Sequence, residues 1–193
     1  MSAKPSILAF SGSLRKESFN QKVVNIAADG ARKAGADVTV IQLRELPLPV
    51  YDGDLEADSG LPENARTIKD LMKAHQGFLI ASPENNSTLS AALKNAIDWA
   101  SRPDGDETPL VCFKDKTAVL MAASPGALGG LRGLNHLRAI LTSIGVLVLP
   151  EQKAIPKIHE AMDGNGALTD DAQQAAVENL GAKLAGMLSK LHA

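Results

Sequence analysis

Short apolar runs alternate with helix-length amphipathic segments along almost the whole of this chain. The apolar runs have the length of buried strands, and the segments between them space their apolar residues as a helix does. The predicted strands are residues 5–10, 37–43, 77–81, 117–122 and 146–149, the last of them ended by Pro150. The predicted helices are residues 18–34, 62–74, 90–100, 130–144 and about 170–190. The intervening residues 46–53 and 101–115 are predicted to be long loops, because both are rich in proline or charge.

Strands that alternate with helices predict a parallel sheet covered by helices on both faces. Five strands is the flavodoxin-like count, so the predicted fold class is α/β: a flavodoxin-like three-layer sandwich with a five-stranded parallel sheet of order 2-1-3-4-5. Residues 1–193 are predicted to form a single domain. Ligands of such sheets bind beyond the carboxyl ends of the strands, between strands one and three. The loops after strands one, three and four are therefore expected to form a site.

The composition favours small molecules as partners. The single cysteine, Cys112, excludes an internal disulfide and offers no thiolate cluster for a metal, which suits the cytoplasm. Twenty basic and twenty-two acidic residues leave a formal charge of -2, which argues against nucleic acid as a partner. No apolar signal core and no stretch approaching ~20 apolar residues is present, so no membrane partner is expected.

The loop after the first strand has the composition of an anion site. Residues 11–20 read Ser-Gly-Ser-Leu-Arg-Lys-Glu-Ser-Phe-Asn and lead into a predicted helix, whose free N–H groups and dipole favour an anion. The loop lacks the lysine of G-x-x-x-x-G-K-[ST] and the glycines of G-x-G-x-x-G, so a monophosphate fits better than a nucleoside triphosphate or a dinucleotide. Ordinary turn chemistry is the alternative, because Ser18 and Gln21 also form a capping box.

The loops after strands three and four are also small, polar or glycine-rich. Residues 82–88, Ser-Pro-Glu-Asn-Asn-Ser-Thr, lead towards a helix N-terminus that would favour a developing anion. Residues 124–130 contain three glycines, which allow backbone to approach a ligand closely. A proline turn and a flexible turn are the alternatives that involve no ligand. Enrichment at three neighbouring loops favours a phosphate at the first loop and a planar group between the other two.

A phosphate and a planar group in this arrangement describe flavin mononucleotide, FMN. The chain resembles the NADPH-dependent FMN reductase family of flavodoxin-like quinone reductases, which includes enzymes that reduce chromate and azo dyes. The resemblance extends from residue 7 to about residue 170. It rests on Gly12–Arg15 with Ser18 and Asn20, on Ser82–Glu84 with Asn86, on Leu93–Pro103, and on Ser124–Gly126 with Gly129 and Gly130.

The resemblance implies which residues hold the cofactor. Those of the first loop would surround the FMN phosphate, and those of the other two loops would border the isoalloxazine ring. The implied FMN-binding residues are Ser11, Ser13, Leu14, Arg15, Ser18, Asn20, Pro83, Glu84, Asn85, Asn86, Ser87, Ser124, Gly126 and Gly129. The chain departs from the family pattern at Asn85, where the family usually has a tyrosine beside the flavin, and at Ser87–Thr88, where a Gly-Ser pair is common.

The resemblance also implies an enzyme. NADPH or NADH would pass a hydride to FMN, and a quinone or similar small acceptor would then be reduced in a ping-pong sequence. The flavin carries the chemistry, so no catalytic side chain and no metal are expected. His136 either contacts a substrate or a neighbouring subunit or is an ordinary surface histidine.

Three other functions remain open at this level. They are a one-electron carrier, a non-enzymatic flavin-binding or regulatory subunit, and a reductase that releases reduced FMN. The carrier is disfavoured, because such carriers are strongly acidic and hold the flavin between aromatic rings, whereas this chain is nearly neutral and has few aromatic residues. The family resemblance further implies a homodimer or homotetramer with residues 85–102 and the flanking loops at the interface.

Overall fold

A five-stranded parallel sheet forms the central layer of the structure, a computed structural model that describes residues 4–192. Its strands are β1 (Ser6–Ser11), β2 (Asp37–Gln42), β3 (Gly77–Ala81), β6 (Thr117–Ala123) and β7 (Leu147–Ile155). They pair in the order β2-β1-β3-β6-β7, which is the predicted order 2-1-3-4-5 for the five strands of this sheet. The predicted fold class is confirmed. The ends of the predicted domain, residues 1–3 and 193, lie outside the described residues.

Helices cover both faces of the sheet. They are α1 (Phe19–Lys33), α2 (Gly53–Ser59), α3 (Glu63–Ala74), α4 (Ala91–Ser101), α5 (Leu131–Ser143), α6 (Ile158–Ala161) and α7 (Asp171–Leu191). α1 and α7 pack together on one face, and α3, α4 and α5 cover the other. None of the helices described is both long and apolar enough to cross a bilayer.

Alternation along each strand divides the apolar residues between two cores. Ile7 and Ala9 of β1 point towards α1 and α7, whereas Leu8 and Phe10 point towards α3, α4 and α5. All four side chains are buried. Burial on both faces explains why the strands read as continuous apolar runs rather than as alternating ones.

The prediction that Pro150 ends the last strand is wrong. β7 continues through Pro150 to Ile155, and its register against β6 shifts between Ala118 and Leu120. Proline is tolerated there because β7 is an edge strand and the irregular pairing requires no N–H group from that residue. The extension places Ile155 beside Ala123, at the edge of the sheet where the predicted site lies.

Several shorter elements were not predicted, among them α2, α6 and a hairpin. α2 lies directly after the proline-rich loop, and its polar sequence Gly-Asp-Leu-Glu-Ala-Asp-Ser has no buried residue that would reveal a helical stripe. β4 (Glu84–Asn85) and β5 (Thr88–Leu89) form a two-stranded antiparallel hairpin inside the second predicted loop. The hairpin determines where the second loop's side chains point.

Candidate functional site

The three predicted loops meet at the carboxyl edge of the sheet. We call residues 11–20 after β1 the first loop, residues 82–88 after β3 the second loop, and residues 123–130 after β6 the third loop. They enclose a crevice with a volume of about 160 Å³. The crevice is lined by Ser13, Arg15, Ser18, Phe19, Asn20, Pro83, Glu84, Asn85, Ala123, Ser124 and Pro125.

Eight of the fourteen residues predicted to bind the cofactor line this crevice, and six do not. Of the six, Leu14 lines a neighbouring space, Asn86 lines an outer groove, and Ser11 is fully buried under the first loop. Ser87, Gly126 and Gly129 are also absent from the crevice lining. Three lining residues were not predicted, namely Phe19, Ala123 and Pro125. These three residues could have been found from their positions, at the start of a helix, the end of a strand and a loop. Their side-chain chemistry alone does not indicate a ligand site.

Serine hydroxyls hold the first loop in shape. The Ser11 hydroxyl accepts a hydrogen bond from the Ser13 N–H at 3.1 Å, and the Ser13 hydroxyl accepts one from the Arg15 N–H at 3.3 Å. The Ser18 hydroxyl caps α1 by accepting from the Gln21 N–H at 3.2 Å. The predicted capping box is half formed, because the Gln21 side chain donates to Asn25 instead of returning to Ser18.

The start of α1 provides the crevice with donors for an anion. As the first two residues of α1, Phe19 and Asn20 have N–H groups without a partner inside the helix. The Ser18 hydroxyl and the exposed Arg15 guanidinium line the same space. No acidic residue lies in the first turn of α1 to neutralise its positive end. This donor set fits a phosphate monoester.

Asn20 also joins the first loop to the third. Its amide nitrogen donates to the Ala123 carbonyl at 2.9 Å, and its amide oxygen accepts from the Ala123 N–H at 2.9 Å. Asn20 is 5% exposed and Ala123 is 4% exposed, so both hydrogen bonds are shielded from water. The side chain predicted to face a phosphate therefore fixes the end of β6 relative to the start of α1.

Gly12 fixes the first loop against α4. Its N–H donates to the Ala81 carbonyl at 2.9 Å, and its carbonyl accepts from the Ser90 hydroxyl at 2.5 Å. A Cβ atom at Gly12 would lie 2.7 Å from the Leu93 Cβ atom, so a larger residue would displace the loop. Ser90 also caps α4 by accepting from the Leu93 N–H at 3.2 Å.

Glu84 of the second loop caps a helix that lacks a side-chain cap of its own. α5 begins after Gly130, which has no side chain to accept a hydrogen bond. The Glu84 carboxylate accepts from the Gly133 N–H of α5 at 3.0 Å and lies 4.0 Å from the Arg132 guanidinium. This carboxylate supplies the missing acceptor and favours the positive end of α5. It also couples the β4–β5 hairpin to α5.

The hairpin turn uses two residues with left-handed backbone conformations. Asn86 has φ 50° and Ser87 has φ 66°. Two-residue hairpin turns favour these angles, and asparagine tolerates them better than serine does. The Arg132 guanidinium donates to the Ser87 hydroxyl at 3.4 Å and so lies over the turn.

The glycines of the third loop have different environments. Gly129 has φ +62°, and a Cβ atom there would lie 2.6 Å from the backbone of Ile155 and Pro156. A Cβ atom at Gly126 would have as its nearest neighbour the Ser124 hydroxyl at 3.6 Å. Gly129 is therefore required by the protein's own packing, whereas Gly126 is exposed and has room for a contact with a ligand.

Comparison with known proteins decides the family. A family model described as NADPH-dependent FMN reductase matches residues 5–160 of this chain. The chain belongs to this family. The predicted family is confirmed, as are the assignments of the protein as an NAD(P)H-dependent oxidoreductase and of FMN as its cofactor. The donor set at α1 fits the phosphate of this cofactor.

Individual relatives cover most of the chain. It is 33% identical over 183 residues to NAD(P)H-dependent FMN reductase PA1204 of Pseudomonas aeruginosa, covering 92% of each chain. It is 34% identical over 151 residues to a quinone reductase of Escherichia coli, covering 77% of this chain and 76% of that one. Among solved structures, FerB of Paracoccus denitrificans, a flavoenzyme NAD(P)H:(acceptor) oxidoreductase, aligns with a TM-score of 0.80 at 30% identity, covering 98% of this chain and 99% of that one.

Proposed function

We propose that this FMN reductase family member reduces a quinone or similar small acceptor by a ping-pong sequence, with FMN held in the crevice between the three loops. The observation that carries the proposal is the convergence of an anion-binding helix start and two small-residue loops at one edge of the sheet. Similarity to quinone reductases supports the class of acceptor. FerB supports the transfer of electrons from NAD(P)H to a separate acceptor.

We assign the FMN phosphate to the start of α1. Neutral donors there are the N–H groups of Phe19 and Asn20 and the Ser18 hydroxyl, and the charged donor is the Arg15 guanidinium. Ser11 and Ser13 act indirectly, because their hydroxyls accept the hydrogen bonds that hold the first loop in shape. Asn20 contributes its backbone N–H, while its side chain is engaged with Ala123.

We assign the isoalloxazine ring to the space between the second and third loops. Pro83, Glu84 and Ser124 line that part of the crevice, and Gly126 is exposed beside it. Glu84 orients the hairpin through its bond to α5, and Gly129 allows the third loop to turn close to β7. Asn86 and Ser87 act by forming the turn of the hairpin.

The side chains that surround the crevice bind and orient, and they include no evident nucleophile or base. When bound, FMN supplies the two-electron chemistry by accepting a hydride from NAD(P)H and passing electrons to the acceptor. Backbone N–H groups and the start of α4 favour negative charge near the crevice. His136 is an exposed residue of α5 and does not line the crevice, which favours the ordinary surface histidine of the two interpretations.

The proposal is tested by mixing the FMN-loaded protein with NADPH under anaerobic conditions and then adding an acceptor. We expect the flavin absorbance to bleach without a lasting one-electron intermediate, and to return when a quinone is added. Failure of NADPH to bleach the flavin would reject the hydride-transfer reaction. Ultrafiltration after reduction shows whether FMN stays on the protein. Reduced FMN in the filtrate, with no return of flavin absorbance on the protein, would support the alternative of a reductase that releases FMN.

Coenzyme preference and acceptor choice require direct comparison. Parallel initial-rate measurements with NADPH and NADH give the ratio of the two kcat/KM values. A panel of quinone, azo dye, ferric chelate and free FMN then ranks the acceptors. Parallel lines in double-reciprocal plots of the two substrates are expected for a ping-pong enzyme, whereas intersecting lines would contradict that sequence.

We also propose a homodimer or homotetramer that functions in the cytoplasm. An apolar groove beside α4, lined by Leu46, Leu48 and Ala92 among others, supports an interface that includes residues 85–102. Val50, close by in sequence, is 82% exposed and would add apolar area to such an interface. Light scattering at micromolar concentration is expected to give at least twice the mass of one chain, and a monomer would contradict this proposal.

A further inference from the structure

Asn85 occupies an unusual position in the hairpin, because it lines three adjoining spaces. The first is the crevice, and the second is a space of about 400 Å³ between the first loop and the start of α4, which we call the flanking space. The third is an outer groove along α4 that reaches Lys94. Asn85 is the residue common to all three linings. Asn85 therefore lies where the crevice meets the two outer spaces.

The strand geometry of the hairpin directs the Asn85 side chain away from α5. Adjacent residues of a strand point to opposite faces, and Glu84 points towards Gly133 of α5. Asn85 therefore faces the first loop and α4, as its place in the flanking space requires. Its amide, exposed in the single chain, forms no hydrogen bond with any residue from 4 to 192, so the chain itself uses neither its donors nor its acceptor.

The flanking space offers an apolar surface opposite this amide. Leu14 is 54% exposed there, and the floor consists of small residues, Gly12, Ala91 and Ala92 among them. Arg15 is the one charged residue of the lining, and the proposed function assigns it to the phosphate. A space with an apolar wall, a free amide and no further charge suits a neutral planar molecule that carries a carbonyl oxygen.

We propose that Leu14 and Asn85 form the subsite for the electron acceptor, with the ring of a quinone against Leu14 and its carbonyl oxygen accepting a hydrogen bond from the Asn85 amide. This inference rests on the proposed function. Reduction adds a hydride and a proton to the quinone and gives the hydroquinone. NAD(P)H supplies the hydride by way of FMN and leaves as NAD(P)⁺, and the proton comes from solvent water. Asn85 supplies no proton and acts by binding and orienting the acceptor.

The test compares two acceptors in the same variant. Asn85→Leu preserves side-chain size but removes the hydrogen bond, and Asn85→Ala is a second variant that removes both the amide and its bulk. For each protein, kcat/KM is measured with 1,4-benzoquinone and with ferricyanide, which carries no ring and no carbonyl group. In a ping-pong enzyme these values report on the acceptor half-reaction alone. We expect the ratio of the benzoquinone value to the ferricyanide value to fall about tenfold in Asn85→Leu.

Two further variants sharpen the test. Leu14→Ser is expected to reduce the preference for 1,4-naphthoquinone over 1,4-benzoquinone, because the larger ring uses more of the apolar wall. Asn25→Leu, on an exposed part of α1 away from the three spaces, is the matched control and is expected to leave both ratios unchanged. The FMN dissociation constant of every variant is measured by fluorescence titration, which does not depend on turnover.

The possible outcomes separate this inference from the proposed function. A lower benzoquinone ratio in Asn85→Leu, with FMN still bound, supports the acceptor subsite. An unchanged ratio overturns it, as does an equal loss with both acceptors accompanied by weaker FMN binding, since Asn85 would then contact only the flavin. A parent protein that binds no FMN would overturn the proposed function itself.

Discussion

The side chain of Asn20 satisfies both backbone polar groups of Ala123, which lies 103 residues further along the chain, through two hydrogen bonds of 2.9 Å. The amide acts like a short piece of an additional strand at the end of β6. It fixes the distance between the start of α1, where we place a phosphate, and the third loop, where we place part of the flavin ring. Asn20 is thus a positioning residue for the whole crevice.

Replacing Asn20 is expected to destabilise the fold and to weaken FMN binding. Asn20→Ala leaves the buried N–H and carbonyl of Ala123 without partners, which lowers the free energy of unfolding by about 2–4 kcal/mol. Urea denaturation measures this loss, and fluorescence titration measures FMN affinity. Asn25→Ala, an exposed position on the same helix, is the control and is expected to change stability by less than about 0.5 kcal/mol. Equal stability of the two variants would show that the paired hydrogen bonds contribute nothing.

Gly126 and Gly129 of the third loop allow a contact with the cofactor to be distinguished from a requirement of the backbone. Gly129→Ala puts a residue with a Cβ atom in a left-handed backbone conformation and against the backbone of Ile155. We expect this to lower the free energy of unfolding by at least about 2 kcal/mol. Gly126→Ala has space for its methyl group and is expected to keep its stability within about 0.5 kcal/mol. If the flavin ring lies against Gly126, FMN affinity falls in this stable variant. Undiminished affinity would place the ring elsewhere.

Strain in the hairpin turn predicts a stabilising substitution. Ser87 has φ 66°, a conformation that glycine adopts without cost. Ser87→Gly is therefore expected to raise the free energy of unfolding by about 0.5–1 kcal/mol, even though it removes the 3.4 Å bond from Arg132. Thermal melting of the protein without FMN measures the effect. The same change at Ser189, in the regular helix α7, should lower stability, and a lower melting temperature for both variants would refute the strain argument.

An ion cluster between α3 and the loop before β6 predicts a loss of stability in acid. Glu107 accepts from Lys69 and Lys73 at 2.8 and 2.6 Å, and these hydrogen bonds lower its pKa to about 2. Because the folded pKa lies below the value of about 4.3 expected in the unfolded chain, the stabilisation is present above that value and is lost as the pH falls towards 2. Lys69 is 1% exposed, so the Glu107 carboxylate is the counter-ion of a buried ammonium group.

Glu107→Gln is the variant that tests the cluster. We expect it to lower the free energy of unfolding by roughly 1–3 kcal/mol at pH 7, because the buried Lys69 side chain loses its counter-ion. The difference from the parent should shrink as the pH falls from about 4.3 towards 2. Asp106→Asn, an exposed neighbour, is the matched control. Parallel pH profiles for the parent and Glu107→Gln would contradict the assignment.

Most of the fold could be predicted because burial on both faces leaves a clear pattern in the strands. Residues 77–81 are apolar throughout, and the observed β3 has the predicted bounds. The pattern failed where local preference and tertiary context disagree, as at Pro150, which only an edge strand with irregular pairing accommodates. It also failed at α2, whose exposed polar sequence carries no apolar period. In the last helix, helical spacing predicts one buried stripe of Val177, Leu180, Leu184, Met187 and Leu191, but Leu191 is 53% exposed and Leu188 is buried.

The loops that form the site could be predicted from the sequence, but the role of each side chain in the site could not. Small polar residues after three strands indicate a crevice, because the fold brings those strand ends together. The pairing of Asn20 with Ala123 and of Glu84 with Gly133 depends on the relative placement of distant segments. The spacing of residues along the sequence does not predict that placement. The residue types therefore indicated a ligand site, while several of those residues support its walls.

The crystal structure of the protein grown with excess FMN tests the central claim most directly. We expect the phosphate at the start of α1, within hydrogen-bond distance of the Ser18 hydroxyl and the Phe19 and Asn20 N–H groups, and the ring between the second and third loops. A crevice that stays empty under those conditions, or FMN bound at another edge of the sheet, would contradict it.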